Sequence, residues 1–423
     1  MMQNDGLQAL LAAPSWWQLQ SSQTAAPAAS LPADSDLVVV GGGITGLSAA
    51  LSALEHGFSA TLLESAALGS GASGRNSGFV VPVPGRHSPA SLRRHLGSLA
   101  QPYLARLAQS ARTLLAFPGA QGENAGWMLP CGTEDKPDAE ARARDWTAYG
   151  IQADYLDAEQ LAERLGTSRY RYALNFRQGG QLDPLALAQS MAAACRNLGG
   201  GVVTHCPALS FRRAERGGYR VLTPQGEIVA RRLLVAGNCY GEGPCRPPGA
   251  VMTLILGVFA LSPDAAARCL PQGIPFSDGY KDMWFFRRLA GNRLMTGLFA
   301  LPGQSGTTDC ERLLRQRIHH TFGTASGALL QMWAGRIGLT RHALPHLHCP
   351  DEALAYWHGC NGRGLALSHA LGSNLALRLL RDEAPVLPAS RAWPQPAGDA
   401  MRWMAQLLVA RDRRRRTVSL AKH

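Results

Sequence analysis

Residues 37–64 carry the arrangement that most constrains the fold: an apolar strand, a glycine-rich turn, an alanine-rich helix and a second strand that ends in an acid. Gly41 permits a tight turn, Gly43 lets the main chain approach a pyrophosphate, and Gly46 lets the helix pack close to the strand. The amino end of such a helix offers N–H groups and a positive dipole end to phosphates. Glu64 stands where an acid binds ribose hydroxyls. The pattern predicts a Rossmann-like unit that binds a dinucleotide.

A loop of small residues follows at 71–78 and reads Gly-Ala-Ser-Gly-Arg-Asn-Ser-Gly. Such a loop brings main-chain amides and Arg75 close to an anionic or polar ligand at little steric cost. The alternative interpretation is a surface turn without a ligand. The neighbouring dinucleotide motif favours the ligand.

Together these two motifs resemble the FAD enzymes of the glycine oxidase and D-amino-acid oxidase superfamily, and most closely its gamma-glutamylputrescine oxidoreductase-like branch. Four further segments resemble the same superfamily in the same order along the chain. They lie at residues 179–193, 231–240, 333–345 and 359–372. The resemblance therefore extends along most of the chain.

The resemblance implies FAD as the cofactor. We expect it to be bound without a covalent link, because Ser65-Ala66-Ala67 stands where dimethylglycine-type relatives carry a His. Gly362 and Gly364 open a helix whose amino end would stabilise negative charge on the reduced flavin. The positions that match the cofactor-binding motifs are Gly41, Gly43, Ile44, Thr45, Gly46, Glu64, Ser65, Ser73, Gly74, Arg75, Asn76, Val203, Ala236, Gly237, Gly362, Arg363, Gly364 and Leu365.

The resemblance also implies the reaction, which is oxidation of the C–N bond of an amine or amino acid by hydride transfer to flavin N5, followed by hydrolysis of the imine. The electron acceptor is oxygen, a quinone or another carrier. Sarcosine-oxidising relatives carry an oxygen-activating Lys where this chain has Ala366, so fast use of oxygen is not expected. The chemistry needs no dedicated base, and no catalytic residue is assigned. Two alternatives stay open: a membrane-quinone-linked D-amino-acid or imino-acid dehydrogenase, and a non-catalytic flavin-binding partner subunit.

A substrate carboxylate would call for an arginine with bidentate geometry. Arg287 and Arg288 lie on a predicted strand, and Arg336 and Arg341 follow later. Alternation along the strand lets only one of Arg287 and Arg288 face a pocket. The alternative for each candidate is a place in the core or in a surface ion pair. The predicted substrate contacts are Phe79, Tyr280, Trp284, Phe286, Arg288 and Arg336.

The histidines and cysteines predict no metal site and no disulfide framework. His342, His346 and His348 lack the spacing and the fourth ligand of a zinc site. The nine cysteines are odd in number and include no CxxC pair, which is typical of reduced thiols in the cytoplasm.

The chain has 423 residues, enough for two domains. The strand and helix patterns predict an α/β protein, α+β overall, with a Rossmann-like FAD-binding domain interleaved with a substrate domain on an antiparallel sheet. The FAD-binding domain is predicted at 36–85, 179–245 and 345–381, and the substrate domain at 86–178 and 246–344. Predicted strands lie at 37–40, 59–63, 202–205, 232–236, 251–261, 282–288 and 292–299, and predicted helices at 45–57, 88–117 (a pair), 158–165, 183–198, 308–323 and 364–380.

The two ends of the chain are predicted to be an N-terminal arm over residues 1–35, tied down by Trp16 and Trp17, and a linker with a basic amphipathic helix over 382–423. The net charge is +12, but the densest arginine run is terminal and not interleaved with aromatics, which argues against nucleic-acid binding. The helix is expected either to pack on the FAD-binding domain or to lie on an anionic membrane. The expected location is the cytoplasm, with peripheral contact to the inner face of the membrane left open.

Overall fold

The computed structural model describes residues 2–22, 30–85, 87–131, 136–245, 249–303, 306–391 and 398–420. Its strands are β1 (Asp34–Val40), β2 (Ala60–Leu63), β3 (Phe79–Val80), β4 (Trp127–Cys131), β5 (Ala153–Asp157), β6 (Tyr172–Phe176), β7 (Gly180–Gln181), β8 (Gly201–Val203), β9 (Ser210–Arg213), β10 (Tyr219–Thr223), β11 (Gly226–Val235), β12 (Ala250–Ala260), β13 (Phe276–Ser277), β14 (Phe285–Leu289), β15 (Arg293–Phe299), β16 (Leu329–Leu339), β17 (His346–Asp351), β18 (Leu354–His358) and β19 (Ala389–Ser390). Its α-helices are α1 (Met2–Ala12), α2 (Trp16–Gln20), α3 (Ile44–Glu55), α4 (Pro89–Leu96), α5 (Ala100–Leu115), α6 (Lys136–Ala148), α7 (Ala158–Leu165), α8 (Pro184–Asn197), α9 (Pro263–Arg268), α10 (Thr307–Phe322), α11 (Gly364–Arg381) and α12 (Gly398–Leu420).

The first sheet has a parallel centre. Its main path runs β19-β17-β18-β11-β1-β2-β8, with β10 and β9 continuing from β11. Strand β1 pairs in parallel with β11 on one side and β2 on the other, so Val40 lies beside both Val235 and Leu63. Val38 and Val39 are fully buried, as expected for a strand covered on both faces. The strands predicted for the FAD-binding domain are therefore confirmed as members of one sheet.

Helices α3 and α11 cover one face of this sheet. Gly372 of α11 lies directly against the start of α3, where an added Cβ would collide with the carbonyl oxygen of Thr45. The absence of a side chain at this glycine lets the two helix axes approach closely, as small residues do wherever backbones must meet. As a result α11, which comes from the C-terminal part of the chain, is held beside the glycine-rich turn at the N-terminal part.

The second sheet runs β16-β12-β15-β14-β13-β4-β6-β5, and its pairs are antiparallel except for β13 with β4. It draws strands from two chain segments, 127–176 and 250–339, and the first sheet takes strands from the segment between them. The predicted interleaved α/β fold is confirmed. The hairpin predicted at residues 289–291 is also present, with Gly291 at φ +72°. The division into two domains stays a prediction.

The sequence did not predict strands β4, β5, β6 and β16, and it started β14 three residues too early. The predicted strand 282–288 begins at Phe285, because Asp282 is held in the preceding loop by ion pairs. The N-terminal arm forms helices α1 and α2, and both Trp16 and Trp17 are buried as predicted. Residues 23–29 of the arm lie outside the described part.

Helix α12 packs on the second sheet, and the expectation that it packs on the FAD-binding domain is wrong. Val409 lies in an apolar cluster with Met252 of β12 and Leu301. Arg413 and Arg416, which the sequence placed in a basic run, are also buried on this side of the helix. None of the helices in the described ranges is long and apolar enough to cross a bilayer.

An arginine–aspartate cluster explains why this helix docks where it does. It consists of Asp278, Asp282, Arg317, Arg413 and Arg416. Asp282 Oδ2 lies 2.7 Å from Arg317 Nη2, and Asp282 Oδ1 lies 2.9 Å from Arg413 Nη2. Arg416 pairs with Asp278 and also donates to the carbonyl oxygen of Asp282, at 2.8 Å. Two buried carboxylates therefore require the arginines of α12 for charge compensation.

A buried histidine between α11 and α5 makes stability depend on pH. Burial, together with the positive charge of Arg106, lowers the pKa of His369 to about 4. The unfolded chain takes up a proton below about pH 6.5, whereas the folded chain does not until near pH 4. This part of the stability is therefore complete above about pH 6.5 and is lost as pH falls, by up to about 3 kcal/mol.

We expect His369→Gln to flatten the acid limb of the stability curve. Urea unfolding between pH 4.5 and 7.5 measures it, and His319→Gln on the exposed side of α10 is the matched control. An acid limb in His369→Gln as steep as in the wild-type protein would contradict the assignment.

Candidate cofactor site and active site

The glycine-rich turn connects β1 to α3 as the sequence predicted. Gly41 has φ +114°, which favours glycine, and its N–H donates to the carbonyl oxygen of Leu63 at 2.8 Å. A Cβ on Gly46 would collide with the carbonyl oxygen of Gly41 and lie 3.0 Å from Cγ1 of Val39. Helix α3 has Gly43 as its N-cap, a residue that has no side chain to cap the first turn. The amino end of α3 therefore faces a turn without side chains.

Glu64 lies beside this turn at the end of β2. Its Oε2 accepts a hydrogen bond from the N–H of Gly42 at 2.7 Å, and its Oε1 accepts one from the N–H of Ala66 at 3.0 Å. The Ser65 hydroxyl donates to the same Oε1 at 3.2 Å. Val203 of β8, another predicted cofactor residue, accepts the main-chain N–H of Glu64. The structure thus brings the predicted acid to the glycine turn, and its contact with a ribose stays a prediction.

The loop at 71–78 folds over the start of α3. The Ser73 hydroxyl accepts a hydrogen bond from the N–H of Ile44 at 3.0 Å. Asn76 braces the loop from within, because its Nδ2 donates to the carbonyl oxygens of Ala72 and Ser73 and its Oδ1 accepts from the N–H of Gly78. The two motifs that were read separately in the sequence therefore form one surface.

The side chain of Arg75 is used differently from the prediction. Its guanidinium is buried and donates to the carbonyl oxygens of Ala334, Leu10 and Ala13, at 2.8, 3.2 and 2.8 Å. These three acceptors come from β16 and the N-terminal arm. Arg75 thus ties both segments to the loop, and its main-chain carbonyl oxygen accepts from Trp333 Nε1 at 2.8 Å. A contact between Arg75 and the cofactor stays a prediction.

The N-terminal arm packs against the 71–78 loop and donates two hydrogen bonds to it. The sequence predicted that the tryptophans tie the arm down but not that they do so at this loop. The Ser15 hydroxyl donates to the carbonyl oxygen of Gly74 at 2.7 Å, and Trp17 Nε1 donates to that of Asn76 at 2.8 Å. Both acceptors belong to predicted cofactor-binding residues. The Ser-Trp-Trp sequence at 15–17, with two adjacent large aromatic residues in the arm, was the available signal.

We expect Trp17→Phe to weaken cofactor binding about tenfold, because losing this hydrogen bond leaves a carbonyl unpaired and costs about 1–2 kcal/mol. Fluorescence titration of the apoprotein with FAD measures the effect. Trp16→Phe is the matched control, since the Trp16 ring lies under Arg293 instead. Equal FAD affinity in Trp17→Phe and the wild-type protein would contradict a role for the arm.

The loop before α11 forms the second part of the site. Gly362 has φ +80°, and Arg363 is an N-cap whose side chain does not cap the helix. Asn361 holds the loop to β16, because its N–H donates to the carbonyl oxygen of Gly338 at 2.9 Å and its Oδ1 accepts from the N–H of Thr340 at 2.9 Å. Helix α11 therefore begins in a glycine-rich loop, and the side chain of its N-cap residue does not cap its first turn.

The end of β11 joins the two parts. Ala236 N–H donates to the carbonyl oxygen of Val40, which places Ala236 and Gly237 beside the glycine turn. Asn238, in the left-handed region at φ +46°, accepts the N–H of Gly359 at 3.0 Å. The signal for Asn238 was the segment Gly-Asn-Cys-Tyr directly after a buried strand, and sequence reasoning missed it.

These residues fit a dinucleotide. The glycine turn is a cradle that a single Cβ would fill, and the starts of α3 and α11 both offer their amino ends. Gly372 lies against Thr45 and is eight residues along α11 from Gly364, so about 12 Å separates the two helix starts along that axis. One helix start can serve a pyrophosphate and the other a distant ring of the same ligand.

The comparison with known protein families shows to which class of dinucleotide-binding enzymes the chain belongs. The profile of the DAO family, described as FAD dependent oxidoreductase, matches residues 36–378. The chain belongs to the FAD dependent oxidoreductase family. This match covers the glycine turn, both sheets and most of α11, so the cofactor is FAD.

Relatives of this FAD dependent oxidoreductase are consistent with the family. It is 28% identical to gamma-glutamylputrescine oxidoreductase of Escherichia coli over 391 residues, which is 87% of this chain and 89% of the relative. Two solved structures share the fold: L-amino acid deaminase from Proteus vulgaris (TM-score 0.67, 18% identity, 86% of this chain and 94% of the other) and glycine oxidase from Geobacillus kaustophilus (TM-score 0.65, 19% identity, 87% and 100%). The family match shows an FAD-dependent oxidoreductase, and the two solved structures share its fold.

On β14 the buried arginine is Arg287, the neighbour of the predicted substrate contact Arg288. Arg287, not Arg288, points toward the 71–78 loop. It donates to the carbonyl oxygens of Ser77 in that loop and of Leu182, at 2.8 and 2.7 Å. Phe286 faces the opposite side with Arg288 and is fully buried against Phe322. The structure therefore places Phe286 in the core and not at a pocket, and a substrate contact by Arg288 stays a prediction. The reason is that the buried carbonyls satisfy Arg287, whereas the apolar layer under α10 accommodates Phe286.

Tyr280 and Trp284 are also used by the fold and not by a pocket. The guanidinium of Arg416 lies 4.2 Å from the centroid of each of these rings. Arg317 lies over Trp284 as well, at 5.5 Å. These aromatic rings stack on the arginines of the arginine–aspartate cluster, so the prediction that they wall an amine site is not supported.

The remaining candidates lie nearer the cofactor surface. Phe79 of β3 packs edge-on against Phe285 at 5.8 Å. Arg336 is exposed at β16, where its N–H donates to the Tyr240 hydroxyl at 2.6 Å. Arg341 is exposed on the turn after β16. Substrate contacts by Phe79 and Arg336 stay predictions.

A small cavity lies beside the 360–363 loop, and some of the residues that line it were not singled out in the sequence. Its walls include Val81, Val83 and Leu107, and its polar groups include Tyr103 and Arg363. The Tyr103 hydroxyl is fully buried and has no hydrogen-bond partner among the described residues, and burial raises the pKa of this tyrosine. The guanidinium of Arg363 also lies 4.4 Å from the centroid of the Trp127 ring. Tyr103 sits within a helical leucine pattern, which masks it in the sequence.

Proposed function

We propose that this FAD-dependent oxidoreductase oxidises the C–N bond of an amino acid or a gamma-glutamyl polyamine to an imine, which water then hydrolyses to a carbonyl compound and an amine or ammonia. The observation that carries the proposal is the pair of helix starts at the Gly41–Gly46 turn and the Gly362–Gly364 loop, neither capped by the side chain of its own N-cap residue, within a chain that matches the family from 36 to 378. The name of the E. coli relative supports the gamma-glutamyl polyamine, and those of the structural neighbours support an amino acid.

FAD, when bound, supplies the hydride acceptor of the reaction. The protein's own residues hold and orient it. The amino end of α3 and the turn at Gly43 would bind phosphate, and the N-terminal arm with Arg75 keeps the 71–78 loop in place. The start of α11 presents main-chain N–H groups and a positive dipole end, which would favour negative charge on a nearby group.

We further propose that Arg363 recognises an anionic end of the substrate. It lines the small cavity beside the 360–363 loop together with the Tyr103 hydroxyl, which has no hydrogen-bond partner among the described residues. The Trp127 ring supports the guanidinium plane, as aromatic faces commonly do for arginine. A carboxylate would thus meet one cation and one hydroxyl at this site.

We expect Arg363→Met to raise KM for carboxylate-bearing substrates about 10- to 100-fold, because a hydrogen bond to a charged group is worth about 1.5–3 kcal/mol. Steady-state kinetics on each amino acid and its methyl ester measure this change. Arg341→Met, on the exposed turn, is the matched control. A similar rise of KM for the acid and for the uncharged ester would contradict recognition of the carboxylate.

A carrier or quinone is the electron acceptor that we propose. Ala366 is buried in the first turn of α11, at the position where sarcosine-oxidising relatives carry their lysine. The test compares reoxidation of the reduced enzyme by air-saturated buffer and by a water-soluble quinone. Faster reoxidation by oxygen would contradict this choice.

The reaction itself is tested by turnover with an artificial electron acceptor across a panel of amino acids, polyamines and gamma-glutamyl polyamines. The carbonyl product is trapped with a hydrazine reagent and identified by mass. Formation of the carbonyl from one substrate class supports the proposal and names the class. Acceptor reduction without any carbonyl product would contradict C–N oxidation.

A further inference from the structure

The outer face of α12 is the largest apolar feature left uncovered in the described part of the chain. Trp403, Met404, Leu407 and Leu408 are 69%, 55%, 51% and 40% exposed. The other exposed large apolar residues are single leucines on separate elements, which are normal on soluble proteins. Four large apolar residues within two turns of one helix call for an explanation.

The same face continues into positive charge. Arg411, Arg414 and Arg415 are exposed, whereas Arg413 and Arg416 are buried in the arginine–aspartate cluster. At about 100° per residue, these three arginines and the four apolar residues fall within an arc of about 140°. The arginine run is thus divided by the helix into two buried residues that dock it and three that are presented outward.

No carboxylate of the helix neutralises this outward charge. Asp412 points toward the protein, where its Oδ2 accepts the N–H of Asp282 at 2.8 Å. Asp399 lies at the helix start and pairs with Arg402 at 3.0 Å. The apolar residues occupy the N-terminal half of the face and the arginines its C-terminal half. The face therefore has apolar side chains that can be buried beside positive charges that can attract an anionic surface.

We propose that this face of α12 docks on an anionic membrane surface. Trp403, Met404, Leu407 and Leu408 would enter the boundary between headgroups and acyl chains, and Arg411, Arg414 and Arg415 would contact anionic headgroups. The helix would lie in the plane of the surface, anchored on its other side by Val409 and the arginine–aspartate cluster. The cofactor residues belong to other elements, so docking leaves them in place.

Flotation of the FAD-loaded enzyme with phosphatidylcholine vesicles, with and without 30% phosphatidylglycerol, tests the proposal. We expect binding to the anionic vesicles at least tenfold tighter than to the neutral ones, weakening as salt screens the charges. The double variant W403S/L407S and the triple variant R411Q/R414Q/R415Q should each bind the anionic vesicles at least tenfold more weakly. Activity on a soluble substrate should stay unchanged in both.

The charge control is R93Q/R94Q/R216Q, which removes three exposed arginines elsewhere and lowers the net charge equally. It should bind vesicles as the wild-type enzyme does. Failure to bind anionic vesicles would overturn the proposal, as would equal loss in the charge control or undiminished binding by W403S/L407S. Sedimentation analysis showing that this face instead pairs two copies of the chain, without vesicle binding, would also overturn it.

Trp403 supplies an independent readout. The tryptophans at 16, 17, 127, 146, 284, 333 and 357 are all buried, so Trp403 stands out among those in the described ranges. We expect anionic vesicles to shift the tryptophan emission of the wild-type enzyme to shorter wavelength and to leave that of Trp403→Phe unshifted while Trp403→Phe still floats. The same shift in both proteins would contradict insertion of Trp403.

Discussion

Replacing Gly46 with alanine is expected to give a protein that binds FAD at least a hundredfold more weakly and unfolds more easily. The added Cβ would meet the carbonyl oxygen of Gly41, a main-chain atom that cannot rotate away. The turn must therefore open, which costs about 3 kcal/mol or more in binding and displaces the first turn of α3. FAD titration and urea unfolding of the apoprotein measure the two effects separately.

Gly306→Ala is the control for this substitution. Gly306 caps α10 with an ordinary extended conformation, and the nearest atom to an added Cβ is Asp309 Oδ2 at 3.9 Å. We expect a change of about 0.5 kcal/mol or less and unaltered FAD binding. Wild-type FAD affinity in Gly46→Ala would show that the cofactor does not use this turn.

Asp282→Ala is expected to destabilise the enzyme by about 3–5 kcal/mol, because it leaves two buried arginines without compensation. Asp282 is 1% exposed, and both of its oxygens are paired, with Arg317 and Arg413. Burial raises the pKa of Asp282, but the two arginines outweigh burial and hold it below the usual value. The carboxylate is thus required in its charged form, and its loss should also loosen α12 from the second sheet.

Urea unfolding gives the stability, and limited proteolysis reports the release of α12. Asp309→Ala is the matched control, since Asp309 pairs with Arg312 on the surface and should contribute less than about 1 kcal/mol. If Asp282→Ala were no less stable than Asp309→Ala, the arginine–aspartate cluster would not be what holds the C-terminal helix.

The sequence revealed the parallel centre of the first sheet, strands β1, β2, β8 and β11, because its determinants are local. The turn at Gly41, the helix from Ile44 and the acid Glu64 lie within 24 residues, and each has a residue-type requirement that is visible without tertiary information. Helices α7 and α8, predicted at 158–165 and 183–198, are also local features, and the structure shows an acidic N-cap residue before each.

Strands β4, β5 and β6 could not be read in the same way. Strand β4 includes Pro130, and β5 reads Ala-Asp-Tyr-Leu-Asp, so neither shows the pattern of a covered strand. Of these three strands, β4 pairs with β13, which lies more than 100 residues further along the chain and contributes only residues 276–277. Such strands are specified by long-range pairing and not by local preference.

The substrate contacts were harder to predict than the cofactor motifs. Neighbouring residues of a strand point to opposite faces of the sheet, but the sequence does not tell which residue points to which face. The carbonyls of Ser77 and Leu182, from other segments, decide that Arg287 faces inward. The terminal arginines show the same limit. Only the positions of Asp278 and Asp282 separate Arg413 and Arg416, which dock the helix, from Arg411, Arg414 and Arg415, which face outward.

The central claim is that this chain is an FAD enzyme that takes a hydride from a carbon bearing nitrogen. Anaerobic bleaching of the visible flavin band tests it most directly, using D- and L-amino acids, polyamines and gamma-glutamyl polyamines beside the matching 2-hydroxy acids. We expect one nitrogen-bearing class to bleach the band and its hydroxy counterpart to leave it unchanged. Bleaching by a hydroxy acid alone, or a flavin-loaded protein that no amine reduces, would contradict the claim.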